Sequence, residues 1–218
     1  MSERPIIFSA PMVRAILAGR KTQTRRIAKL NASGRVKEPG SPRNWHCDDP
    51  EATLACPYGQ PGDTLWVRET CHAHELTDVE AYEDTFGVME RRGLEVPPYG
   101  LDGVVYAADD HFREIENSIA ASERWGVLNA YGNKQGATVP AIHMPRWASR
   151  ITLGIAAVRL QRLQAITEAD VRSEGCAHGQ AFTDLWNDIN GAHSWDRNPW
   201  VWAITFRHTV NVGVARNE

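Results

Sequence analysis

The chain has 218 residues, of which 42% are hydrophobic and 23% are charged, and its formal net charge is -3. This composition is typical of one globular domain with insertions or of two small domains. A charge so close to zero argues against a protein that coats nucleic acid nonspecifically, but it allows a small basic pocket. No apolar run is long enough to span a membrane, and the first one is too short for a signal peptide. We therefore expect a cytoplasmic protein with no membrane partner.

The chain begins with a predicted strand at residues 5–8 and a short helix. Ser9 is typical of a helix N-cap, apolar residues recur at helical spacing over residues 12–17, and Gly19 ends the pattern. A basic cluster follows at once over residues 19–26, with four cations and two hydroxyls in eight residues. Such a cluster at the end of a helix is a candidate site for an anionic or polar ligand.

The rest of the chain contains several short strands, few helices and no regular alternation between them. Residues 31–62 are predicted to be loop, and residues 72–140 are predicted to be an insertion. The predicted strands are 64–70, 151–163 and 200–206, and the predicted helices are 167–175 and 182–189. This order favours an α+β fold with a mostly antiparallel, barrel-like sheet.

Lys21 and Thr24 of the basic cluster are a candidate base and nucleophile, because they lie three residues apart. The neighbouring cations Arg20, Arg25 and Arg26 favour the neutral form of Lys21, which is the form that accepts a proton. The alternative is that the basic run is a solvated face whose first cations complement the helix dipole.

Glu174 is a candidate general acid. The preceding helix opens with a capping-box pattern from Thr167 to Asp170, whereas Glu174 lies at its other end, just before Gly175. The helix dipole disfavours a negative charge there and so favours the protonated form that donates a proton. The alternative is an exposed, solvated glutamate with a small energetic penalty.

Arg146, Trp147 and Arg150 combine cations with an aromatic ring, a set that can stack on a base and hold a phosphate. The alternative places Trp147 in the core with the arginines at its edge. The cysteines and histidines have spacings that match no common structural zinc site, so we expect free thiols, no metal and no cofactor.

Residues 16–26 resemble the opening of ASCH domains, a family with a PUA-like β-barrel fold. Further segments resemble the larger ASCH-type proteins of phages and prophages: residues 56–59, 62–70, 144–150 and 198–202. The resemblance does not extend over residues 75–138. It implies one ASCH-like domain over residues 1–218, with a PUA-like β-barrel, short flanking helices and an insertion at about 72–140.

Small bacterial ASCH proteins include amidohydrolases that remove the acetyl group from N4-acetylcytidine with a lysine, a threonine and a glutamate. The resemblance implies that Lys21, Thr24 and Glu174 are these catalytic residues and that the partner is a modified nucleoside or nucleobase. The residues that we expect to bind the substrate are Arg20, Arg25, Arg26, Glu69, Arg146, Trp147 and Arg150. Because ASCH domains also resemble RNA-binding PUA domains, the alternative is a module that binds single-stranded RNA without amidase activity. A variant of this alternative is a ribonuclease that cleaves the RNA.

Overall fold

The computed structural model describes residues 2–76, 101–116 and 118–209. As far as these residues extend, the chain divides into two compact units. The first comprises Met1–Ile6, Pro11–Val67 and Ser149–Glu218, and the second comprises Ile7–Ala10 and Arg68–Ala148. The second unit takes in the predicted insertion at about 72–140, of which residues 77–100 and 117 lie outside the described residues. The assignment of the whole chain to a single domain stays a prediction.

The described residues form ten strands. In chain order they are β1 (Glu3–Ile7), β2 (Gln23–Ile27), β3 (Val36–Lys37), β4 (Asn44–Trp45), β5 (Thr64–Arg68), β6 (Cys71–Leu76), β7 (Leu101–Tyr106), β8 (His111–Glu114), β9 (Thr152–Arg162) and β10 (Trp200–Thr209). The helices are α1 (Ala10–Leu17), α2 (Ile119–Asn129), α3 (Glu168–Ser173) and α4 (Gly179–Asn190). No helix among the described residues is long and apolar enough to cross a membrane.

The strands form three sheets. The largest belongs to the first unit and has the order β1–β5–β9–β10–β2, while β3 pairs with β4 and the third sheet has the order β6–β7–β8. The α+β class predicted from the sequence is therefore confirmed. No pairing among the described strands closes the largest sheet into a barrel, so the PUA-like barrel is not confirmed.

Strand β10 lies inside the largest sheet and is buried on both faces. It pairs with β9 along its whole length and with β2 from Val201 to Thr205, both in the antiparallel sense. Val201, Trp202, Ala203 and Ile204 are all buried, although they alternate between the two faces. Strand β2, which carries residues 23–26 of the basic cluster, lies at the edge of the sheet.

Helices α3 and α4 pack on this sheet through a shared apolar cluster. Its buried members are Leu163, Val171, Phe182, Trp186 and Val201. The capping box predicted at the start of α3 is present, since the Thr167 side chain accepts from the backbone N–H of Asp170 and the Asp170 carboxylate accepts from that of Thr167. Gly175 then ends the helix with φ of +86°.

The second unit has its own apolar core between the sheet of β6, β7 and β8 and helix α2. Tyr106 and Trp125 are the largest members of this core, and each of them satisfies its polar group inside it. The Tyr106 hydroxyl donates to the carbonyl oxygen of Ala148 at 2.7 Å, and the Trp125 indole N–H donates to that of Gly103 at 2.7 Å. This unit therefore holds itself together by contacts of its own.

Candidate functional site

Lys21 is buried because the chain turns sharply at the end of α1. Gly19 has φ of +68°, its N–H donates to the carbonyl oxygen of Ile16, and the N–H groups of Arg20 and Lys21 both donate to that of Ala15. This is the glycine-terminated helix end that the sequence predicted. It carries Lys21 inward, where the residue is 2% exposed, while Arg20 stays exposed.

Glu174 lies directly after α3, and the structure buries it rather than leaving it solvated. Its carboxylate Oε2 is 2.6 Å from Nζ of Lys21, and the same ammonium donates to the backbone carbonyl of Glu174 at 3.0 Å. Glu174 is 6% exposed. Lys21 therefore neutralises the carboxylate and also satisfies a carbonyl at the C-terminal end of the helix, where the dipole by itself disfavours an anion.

Arg25 holds the other oxygen of the same carboxylate. Its Nη1 is 3.0 Å from Oε1 of Glu174 and donates to the side-chain oxygen of Gln23 at 2.6 Å, while its Nη2 is 3.1 Å from Oδ2 of Asp170. Arg159 contacts Oδ1 of Asp170 at 2.8 Å. Positive and negative groups thus alternate along one chain of contacts. We call this set the ion network: Lys21, Glu174, Arg25, Asp170 and Arg159.

The ion network stabilises the charged form of Asp170. Burial acts to raise the pKa of this carboxyl, but hydrogen bonds from the Arg159 side chain, the Thr167 backbone and the Gln23 side chain, together with the charge of Arg25, lower the pKa to about 2. Arg26 lies beside the network. Burial lowers the pKa of its guanidinium, against the opposing effects of Tyr58 and Glu174.

Thr24 and Glu174 line the same small cavity, whose volume is about 60 Å³. The remaining lining residues are Met12, Arg25, Arg26, Ile27, Phe182, Leu185, Trp186, Ile189 and Asn190. A bound water needs about 10–15 Å³, and sites for small molecules usually measure roughly 300–1,000 Å³. The cavity therefore accommodates a small group, and a larger ligand requires movement of its walls.

The predicted site residues fall into two groups. Those in the first unit are Arg20, Lys21, Thr24, Arg25, Arg26, Arg150 and Glu174, whereas Glu69, Arg146 and Trp147 belong to the second unit. Of the first group, the cavity and the ion network bring together Lys21, Thr24, Arg25, Arg26 and Glu174.

The three predicted residues of the second unit have different surroundings. Glu69 is buried, and its backbone N–H contacts the sulfur of Met144 at 3.1 Å. Arg146 is exposed, and Trp147 is half-buried against the core of its own unit. Trp147 therefore packs in part against a core, and its role as a substrate-binding residue stays a prediction.

The terminal nitrogens of Arg25 are engaged in the ion network. Its side chain is fully buried, and its terminal nitrogens face two carboxylates and the Gln23 amide. These contacts hold the Glu174 carboxylate in place, and the prediction that Arg25 binds the substrate stays a prediction. A run of cations near a helix end does not indicate which of its members are paired internally.

Three residues of the site escaped sequence reasoning. Asp170 was explained by its capping box, Arg159 lies in an alternating strand, and Trp186 matched the apolar pattern of a helix. For Asp170 a signal existed, since an aspartate one helical turn before Glu174 lies on the same side of a helix as that residue.

Comparisons of the chain with protein-family models, with curated proteins and with solved structures found no match. Among the described residues, no three His, Cys, Asp or Glu side chains are grouped so that they could hold a metal ion. The geometry itself defines the site as a buried ion network beside a small cavity that is partly apolar and carries a threonine, a glutamate and two arginines.

Proposed function

We propose that the chain is an amidohydrolase that removes an acyl group from N4-acylated cytosine or cytidine, and that its first unit is a PUA-like ASCH fold. The observation that carries the proposal is the buried 2.6 Å contact between Lys21 and Glu174, next to a cavity that Glu174 and Thr24 line together. The resemblance of residues 16–26 to ASCH domains supports the same assignment of these three residues.

The first half of the proposed reaction transfers the acyl group to Thr24. A proton moves from the Lys21 ammonium to the Glu174 carboxylate across their contact, which leaves a neutral amine. This amine takes the Thr24 hydroxyl proton while Oγ1 of Thr24 bonds to the acyl carbon. The bond between that carbon and N4 then breaks as Glu174 gives its proton to N4. Cytidine leaves, and Lys21 is again an ammonium beside a carboxylate.

The second half hydrolyses the threonine ester with water. The same proton transfer from Lys21 to Glu174 restores the neutral amine, which takes a proton from water as the water oxygen bonds to the acyl carbon. The ester bond breaks, and Glu174 returns its proton to Oγ1 of Thr24. The products are the free carboxylic acid and the starting enzyme. Arg26 lines the cavity and is the cation that we assign to the developing oxyanion.

The proposal requires the cavity to open. A nucleobase needs more room than about 60 Å³, so the side chains of α4 at the cavity wall must move to admit it. Leu185 and Ile189 are the natural candidates, because both line the cavity and neither is fully buried.

The test is to incubate the purified protein with N4-acetylcytidine and to follow cytidine release by chromatography. The Thr24→Ala variant should release none. Thr22→Ala is the matched control, because Thr22 belongs to the same basic cluster but is exposed. Full activity of Thr24→Ala would contradict the assignment of the nucleophile, and no release by the wild type would contradict the proposed activity.

A second candidate function is binding of single-stranded RNA, and a separate groove of the first unit favours it. The groove has a volume of about 550 Å³ and is lined by Arg162 and Trp200, among others. The Arg162 guanidinium lies 4.8 Å from the centre of the Trp200 ring, a pairing that suits base stacking and phosphate binding. Asp48 and Asp49 also line the groove and weaken its attraction for phosphates.

Fluorescence anisotropy with a labelled uridine oligonucleotide at several salt concentrations tests this second function. Arg162→Ala should weaken the binding and reduce its salt dependence, whereas Arg172→Ala, which removes an exposed arginine of α3, should not. Equal affinities of the two variants would exclude the groove as the binding surface.

A further inference from the structure

Trp186 lines the cavity from α4 and carries a buried polar group. The residue is 5% exposed, and its indole N–H has no hydrogen-bond acceptor among the described residues. The indole of Trp125 in the second unit differs, because its N–H donates to a carbonyl oxygen at 2.7 Å. A buried donor without an acceptor is unfavourable and rare in folded proteins, so its position on the wall of a cavity requires an explanation.

A second donor among the residues that line the cavity has the same character. Arg25 also lines the cavity, and its Nε is buried with no acceptor among the described residues, although its terminal nitrogens contact carboxylates. Indole N–H and guanidinium N–H groups donate and do not accept. These two donors of the cavity lining therefore lack an acceptor within the described part of the chain, and a ligand that carries an acceptor would satisfy one of them.

We infer that Trp186 is a substrate-binding residue whose indole N–H donates a hydrogen bond to a carbonyl oxygen of the ligand. The inference rests on the proposed function and deepens it, because it names a residue that selects among substrates. The apolar side chains of Phe182, Leu185 and Ile189 complete the wall and suit a flat or methylated group beside that carbonyl. A ligand that presents a donor at this position would leave two donors facing each other and would bind more weakly.

Two parts of an N4-acylated cytosine carry such a carbonyl, namely the acyl group and the pyrimidine ring. Cytidine carries the ring carbonyl without the acyl group, and acetamide carries an amide carbonyl without the ring. Titration with each compound in turn therefore shows whether the indole N–H binds the ring carbonyl or the acyl carbonyl.

The experiment follows the indole N–H resonances of the eight tryptophans by nitrogen–proton NMR. The Trp186 peak is identified by its loss in Trp186→Phe, or in Trp186→Tyr should the phenylalanine variant not fold. We expect this peak to move downfield on addition of cytidine or acetamide, since a new hydrogen bond deshields the proton. No movement with either compound would overturn the inference.

Binding measurements complete the test. Trp186→Phe should bind the compound that moves the peak about five- to tenfold more weakly than the wild type. Phe182→Leu, which replaces a neighbouring ring that carries no donor, should lose less binding affinity. Equal losses of affinity in the two variants would show that Trp186 contributes only packing. Movement of the Trp186 peak without hydrolysis of N4-acetylcytidine would contradict the proposed activity and leave the inference intact. Hydrolysis with an unmoved peak would support the proposed activity and overturn the inference.

Discussion

Replacement of Asp170 by asparagine should lower the free energy of unfolding by about 2.5 kcal/mol at pH 7 and by almost nothing near pH 2. Asp170 is buried, and its contacts with Arg159, Thr167, Gln23 and Arg25 outweigh the effect of burial and lower its pKa from 3.8 to about 2. Each unit of pKa difference between the folded and unfolded states corresponds to about 1.4 kcal/mol of free energy of unfolding. A carboxyl with a lowered pKa in the folded state stabilises the fold above its unfolded pKa. That contribution is lost as the pH falls from about 4 to about 2.

The assay is urea unfolding of both proteins at several pH values between 7 and 2, followed by circular dichroism. Asp63 also has a pKa lowered to about 2, because it accepts backbone and side-chain hydrogen bonds from Ser2 and a backbone hydrogen bond from Gln60. Both proteins contain Asp63, so its contribution cancels in the difference between their free energies of unfolding. Asp188→Asn, at an exposed position of α4, serves as the control for the chemical change. A difference between wild type and Asp170→Asn that stays constant across this pH range would refute the reasoning, because it would not arise from the carboxylate charge.

Two further predictions concern the packing around the site and the thiols. Gly175→Ala should destabilise the fold by about 1–2 kcal/mol. Gly175 has φ of +86°, and an added Cβ would lie 3.3 Å from that of Ala15 and 3.4 Å from that of Lys21. Gly191 has φ of +93° but open space around it, so Gly191→Ala should destabilise the fold less than Gly175→Ala does in a thermal unfolding experiment. Equal destabilisation by the two variants would show that crowding contributes nothing. An aromatic disulfide reagent at pH 8 should modify the half-exposed Cys176 before Cys71, because burial raises the pKa of the Cys71 thiol to about 12. The opposite order of modification would contradict the burial of Cys71.

The parts of the fold that the sequence predicted are those with local causes. Gly19 ends α1 and Gly175 ends α3, each with positive φ, because glycine adopts that conformation without a steric penalty. The capping box from Thr167 to Asp170 depends on residues that lie within one helical turn of each other. Alternation of apolar residues likewise located β5, β9 and β10, since it reflects the geometry of a single strand.

The parts that the sequence did not predict depend on contacts between distant segments. Lys21 and Glu174 are 153 positions apart, and Arg25 and Glu174 are 149 positions apart, so no local pattern shows that they meet. Only the resemblance to ASCH domains groups Lys21 with Glu174 in advance. The same limit applies to Trp147, because the core that it packs against is built mostly from residues far from it in the sequence. Nor does a strand pattern reveal that β10 is covered on both faces, because that depends on which elements pack above and below it.

The two oxygens of Glu174 have different partners, and this difference matters for the proposed reaction. Arg25 contacts Oε1, and a guanidinium keeps its protons at any pH that the protein experiences. Lys21 contacts Oε2, and an ammonium is able to give up a proton and take it back. In the proposed reaction the proton therefore travels by Oε2, while Arg25 fixes the orientation of the carboxylate. Asp170 holds Arg25 from the other side, so the network extends the proposed site beyond the residues that react.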